Sequence, residues 1–223
     1  MTSRNGYPQQ LVAHYRQAER DRRKGELWID AIDRPILDAC KARPGHKKKD
    51  RYSVYGKVAL ANRMYGARLG WFTKVEDPEW AVAKRLASDR VDSLVRGLAA
   101  LGELNERTVS AVVAAHARLV SLIHSVAKRE YLSFSSKYLS FHWPRLVPIF
   151  DSGSALWSKR IVAELQQEGP VVGDTEYAMH CGRIITLRNY LRDKKNGVRN
   201  PDIKLIDYVL YWMMEGEEQT GGA

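Results

Sequence analysis

Two side chains in the stretch 131–160, YLSFSSKYLSFHWPRLVPIFDSGSALWSKR, have types and spacing that can do chemistry: Lys137 and Asp151, fourteen residues apart. Lys137 lies among Phe134, Tyr138 and Leu139. Apolar surroundings disfavour the ammonium form, and the neutral amine can attack an electrophilic carbon and form a Schiff base. A nearby carboxylate can stabilise a cationic transition state or move a proton. Both residues also have plainer readings. Lys137 can snorkel to solvent on its own stem, and Asp151 can serve only as a helix N-cap.

The elements around the pair decide whether they meet. Tyr138, Leu139 and Phe141 give the first half of the stretch a helical character. Trp143-Pro144 ends that helix, because proline lacks an N–H and pushes the preceding residue out of helical geometry. The apolar run 146–150, LVPIF, then delivers Asp151, and Asp151 or Ser152 caps a second helix. The sequence therefore predicts lysine and carboxylate at the starts of two helices joined by a short apolar connector.

The rest of the chain reads as helices. Residues 1–25 are a polar leader that reads as an exposed helix or a loose segment, 26–215 as a single domain, and 216–223 as a disordered tail. Trp28, Ile29, Ile32, Ile36, Leu37 and Cys40 keep a helical period that Pro35 should kink or split. Asn62 falls inside a third helix and reads as a structural tie. Asp77-Pro78, Ser88, Asn105, Thr175 and Asn200-Pro201 are helix starts. His116 lies on an apolar stripe and reads as a core histidine. The only β-like run is LVPIF, and it contains Pro148. The fold class is a compact all-α domain of nine or ten helices.

Several chemistries find no motif. There is no phosphate-cradling glycine loop, no H-E-x-x-H and no Cys/His cluster, so no cofactor and no metal is expected. Two cysteines, Cys40 and Cys181, predict a reducing, cytoplasmic setting. No uninterrupted apolar run approaches the roughly 18 residues of a membrane span. A net charge of +10 and a pI near 9.6 point to a polyanionic partner, of which nucleic acid is the commonest. Two basic loops are candidate phosphate contacts: 43–51 with Lys47, Lys48 and Lys49, and 192–200 with Lys194 and Lys195.

The segment SSKYLSFHWPRLVPIFDSGSALW resembles the core of the helix-hairpin-helix (HhH-GPD) DNA glycosylase superfamily, most of all its 8-oxoguanine glycosylase branch. Lys137, Pro148, Asp151 and Trp157 take the places of that family's lysine, connector proline, aspartate and following aromatic. The closing segment NPDIKLIDYVLYWMMEG is also similar to the last helix of some such proteins. The resemblance implies base flipping, attack of the Lys137 amine on C1′ of the sugar, and support of the cationic transition state by Asp151. It implies a DNA-binding hydrolase of base excision repair or phage defence, acting on double-stranded DNA with a modified base; the oligomeric state is left open, with a monomer favoured. Phe141, Trp143 and Trp157 become candidates for packing around the flipped base. The family's glycine-rich hairpin is replaced here by EYLSFSS, in which Ser135 and Ser136 are candidate phosphate contacts. A non-catalytic nucleic-acid-binding module on the same scaffold is the rival reading.

Overall fold

The computed structural model describes residues 6–64, 69, 75–167, 169–170 and 172–220, with the side chains of 215–220 left aside. Among the described residues it is all-α: ten α-helices, one 3-10 turn at Lys48–Asp50, and no strand. In order the helices are α1 (Tyr7–Lys24), α2 (Trp28–Ala42), α3 (Arg51–Met64), α4 (Pro78–Leu86), α5 (Asp89–Ala99), α6 (Val109–Ala127), α7 (Leu132–His142), α8 (Ser152–Leu165), α9 (Glu176–Arg192) and α10 (Ile203–Thr220).

The helix starts follow local capping chemistry. Asp77, Ser88, Asp151 and Thr175 each accept the backbone N–H three residues on, at Trp80, Val91, Ser154 and Ala178. Each bond satisfies a donor that the first turn would otherwise leave orphaned. Asn105 acts just before its helix. Its side chain accepts from Arg107 and Thr108, and Thr108 is the N-cap of α6.

Packing forms two groups, joined where α6 meets α9. The α3–α4–α6 group lies on one side, and α1, α8, α9 and α10 pack together on the other. Helix α7 touches α2, α3 and α6, and its eight consecutive residues from Phe134 to Phe141 are all buried. A helix enclosed all round belongs to the interior, and this one carries Lys137 inward with it. Helix α6 is long and apolar enough to cross a membrane by length and composition alone. Its buried stripe, including Val112, Leu119 and Ile123, faces α4, α7 and α9.

Three expectations need correction. The leader is not loose: α1 buries Leu11, Tyr15 and Ala18, spaced four and three residues apart, against α10 and α8. Tyr15 accepts the Asp202 N–H, and Arg22 pairs with both Asp30 and Asp202. Pro35 does not split α2, which runs on through it. The carbonyl it leaves without a donor belongs to Ala31, and both residues are exposed, so water can satisfy it. The tail expected to be disordered is in part helical, since α10 continues to Thr220; 221–223 lie outside the described residues.

Asn62 and His116 behave as read. Asn62 accepts the Leu69 N–H and donates to Glu79, tying α3 to α4. His116 is 2% exposed, bonds the Leu132 carbonyl at 2.9 Å and stacks on Tyr177.

Candidate active site

Lys137 and Asp151 line one pocket of about 220 Å³. The connector between them, although irregular, is fixed at nearly every polar group. Tyr177 donates to the Pro148 carbonyl. The Ile149 N–H donates to Asp207 at 2.8 Å, and the Ile149 carbonyl accepts from His180 at 2.9 Å. That carbonyl partner assigns the His180 proton to Nε2. Phe150 N–H donates to Ser136 Oγ at 2.9 Å. Asp151 and Ser154 then close a reciprocal capping box. A buried backbone without helix or sheet must bond to side chains, and five of them hold the carboxyl of Asp151 in place.

Lys137 is 6% exposed. Burial lowers its pKa; Asp151 opposes that shift, and the second cation in the pocket, Lys204, adds to it. A like charge and desolvation both favour the neutral, nucleophilic amine. Lys204 reaches Asp33 at 3.0 Å, with Asp33 only 2% exposed, and its ammonium lies 4.7 Å from the centre of the Phe141 ring. Asp207 is buried as well, and burial pushes its carboxyl well above the usual range. Its Oδ2 holds the connector while its Oδ1 has no hydrogen-bond partner among the described residues.

The mouth of the pocket is aromatic and apolar: Trp28, Tyr208 and Tyr211, with Ile29, Ile32 and Met64. Trp28 is 47% exposed and meets Tyr208 edge-on at 6.0 Å. At this size the pocket sits below the roughly 300–1,000 Å³ of drug-sized sites. It suits one flat heteroaromatic ring better than an extended ligand.

Several candidates fall elsewhere. Lys137 does not open a helix; it is the sixth of the eleven residues of α7. Ser135 and Ser136 are fully buried and cannot reach a phosphate. Ser136 instead links α7 to the connector, donating to Ser133 and accepting from Phe150. Phe141, Trp143 and Trp157 do not line the pocket. Phe141 lies behind Lys204, Trp143 donates its indole N–H to the Val95 carbonyl, and Trp157 is core, edge-on to Tyr7. Lys47, Lys48, Lys49, Lys194 and Lys195 are exposed and stand away from the pocket lining. The first loop is anchored beneath its lysines: buried Lys57 donates to the carbonyls of Arg43 and Gly45, and His46 bonds Tyr138.

Lys204, Asp207, Tyr208, Tyr211 and Trp28 escaped the reading of the sequence. The first four recur at intervals of three, one and three along α10, a single helical face. That spacing, in a helix apolar on both flanks, was the available signal.

No protein-family model, no curated protein and no solved structure matches the chain.

Proposed function

We propose that this protein is a cytoplasmic, DNA-binding glycosylase that excises a modified base flipped from the duplex, with Lys137 as nucleophile and Asp151 as its electrostatic partner. The observation that carries the reading is the convergence of a buried lysine from α7 and the N-cap carboxyl of α8 on one aromatic-mouthed pocket of about 220 Å³. The Lys137 Nζ bonds to C1′ as the C1′–N bond breaks, and the electron pair leaves on the base. Asp151 faces the positive charge that develops on the sugar. Opening of the sugar ring gives a Schiff base, and β-elimination can then break the strand on its 3′ side. The ring of the base sits between the aromatic residues of the mouth.

Borohydride trapping tests the reading on DNA carrying 8-oxoguanine, an abasic site or glucosylated hydroxymethylcytosine. Wild type should give a covalent adduct and Lys137→Ala none, with circular dichroism confirming that the variant folds. Base release without an adduct, lost in Asp151→Asn, would make the enzyme a single-step glycosylase. Salt-sensitive DNA binding with neither product would leave the non-catalytic module.

A further inference from the structure

At the opposite end of α3 from the pocket, an exposed tyrosine is held flat against a tryptophan and surrounded by cations. Tyr52 is 68% exposed and stacks on Trp80, with ring centres 5.6 Å apart and planes 26° from parallel. Tyr55 supports Trp80 edge-on at 5.5 Å. The Arg51 guanidinium lies 5.0 Å from the centre of the Tyr52 ring and donates to its hydroxyl, and the Lys84 ammonium lies 5.9 Å from the centre of the Trp80 ring. Lys47, Lys48 and Lys49 stand exposed on the turn immediately before Arg51. The acids nearby are engaged: Asp50 accepts the Lys47 N–H and Asp77 caps Trp80.

Folding alone gives no reason to leave so large a ring in water. Stacking on Trp80 fixes its orientation before any partner arrives, which removes part of the ordering cost of binding. The flanking cations decide the partner. A neutral apolar segment would gain nothing from Lys47, Lys48, Lys49 and Arg51, whereas a strand of nucleic acid offers a π-face on every base and a phosphate on every nucleotide. Bases within a duplex hide their faces, so only an unpaired nucleotide can use the ring.

We infer that Tyr52, backed by Trp80 and flanked by Lys47, Lys48, Lys49 and Arg51, is a second nucleic-acid site that takes an unpaired base. Tyr52 and Met64, the latter on the pocket wall, are twelve residues apart on α3, about 18 Å along the helix. That is about five nucleotides at the 3.4 Å spacing of a stacked strand. The two positions lie about 120° apart around α3, so a strand that used both would also have to turn about the helix. The site stands independently of whether Lys137 forms an adduct.

Equilibrium anisotropy with a labelled oligothymidylate, and with a blunt duplex of equal length, reads this directly. Wild type should prefer the single strand. Tyr52→Ala should weaken single-strand binding about tenfold or more while leaving duplex affinity and the salt slope unchanged, and Tyr52→Phe should retain binding. Replacing Lys47, Lys48 and Lys49 together by Gln should lower the salt slope by about two. The proposal is overturned if wild type does not prefer the single strand, if Tyr52→Ala binds it as wild type does, or if Tyr52→Ala loses single strand and duplex equally.

Discussion

Acid should weaken this fold, and the slope can be worked from its histidines. His46, His116 and His180 are at most 2% exposed. Burial is the leading cause that pushes them down from 6.5, His46 to about 3 and the other two to about 4. A base with a lowered folded pKa contributes stability that is complete above its unfolded pKa and is lost as the pH falls towards the folded one. Burial pushes His142 well below 6.5 as well and lowers His14. Between about pH 6 and 4.5 each of His46, His116, His142 and His180 takes up most of a proton on unfolding. Two acids oppose them. Burial raises Asp33 and Asp207, which works in the opposite sense, although Lys204 opposes the rise at its ion-pair partner Asp33. Four histidines that take up protons against at most two acids that release them leave a net uptake of at least about one, a slope of at least about 1.4 kcal/mol per pH unit. Acidification from 6 to 4.5 then costs at least about 2 kcal/mol, a sizeable share of the roughly 5–15 kcal/mol of an ordinary domain. Urea unfolding across that range, followed by tryptophan fluorescence, measures it. His116→Gln removes one uptake site and should flatten the slope. Stability that rises as the pH falls from 6 to 4.5, or a slope unchanged in His116→Gln, would refute the reasoning. His180 makes the effect functional, because its bond to the Ile149 carbonyl lies two residues before Asp151.

Further outcomes follow from the same contacts. Ser136→Ala leaves the buried Phe150 N–H without its acceptor and should cost about 1–3 kcal/mol in urea unfolding; on the proposed reading it should also slow adduct formation, since the connector loosens. Asp33→Asn removes the carboxylate that faces the buried Lys204 ammonium and should cost about 3–5 kcal/mol, whereas Asp33→Leu with Lys204→Met should restore most of the loss, a double-mutant comparison by thermal melting. Gly182→Ala would place a methyl group 2.7 Å from the Pro170 carbonyl oxygen, a backbone atom with little room to yield. It should lower stability by about 1–3 kcal/mol.

What the sequence disclosed and what it withheld divide along the range of the interactions involved. Asp77, Ser88, Asp151 and Thr175 were legible as caps because a cap bonds to a backbone N–H three residues away, and the residue type alone states the capacity. Lys137 and Asp151 were legible as a pair because one short connector joins them. Ser135 and Ser136 misled for the opposite reason. They stand where the resembled family places a phosphate-gripping hairpin, but here the helix is enclosed on every side and Ser136 serves the connector. The ion pair of Asp33 with Lys204 joins residues 171 positions apart, and neither residue type announces the other. On α10, Lys204, Asp207, Tyr208 and Tyr211 form a stripe that a simple amphipathic reading assigns to water. Yet Ile203, Leu205, Ile206, Val209 and Leu210 occupy the flanks of that stripe, and all five are buried. Apolar residues on both sides of this stripe turn Lys204 and Asp207 inward, while Tyr211, further along, is exposed. The inward part of the stripe must then meet either other buried polar groups or a cavity. Here it meets both, Asp33 beneath Lys204 and the pocket above Asp207. The same test applied to α7, where Lys137 is ringed by buried neighbours, points to the same cavity from the other wall.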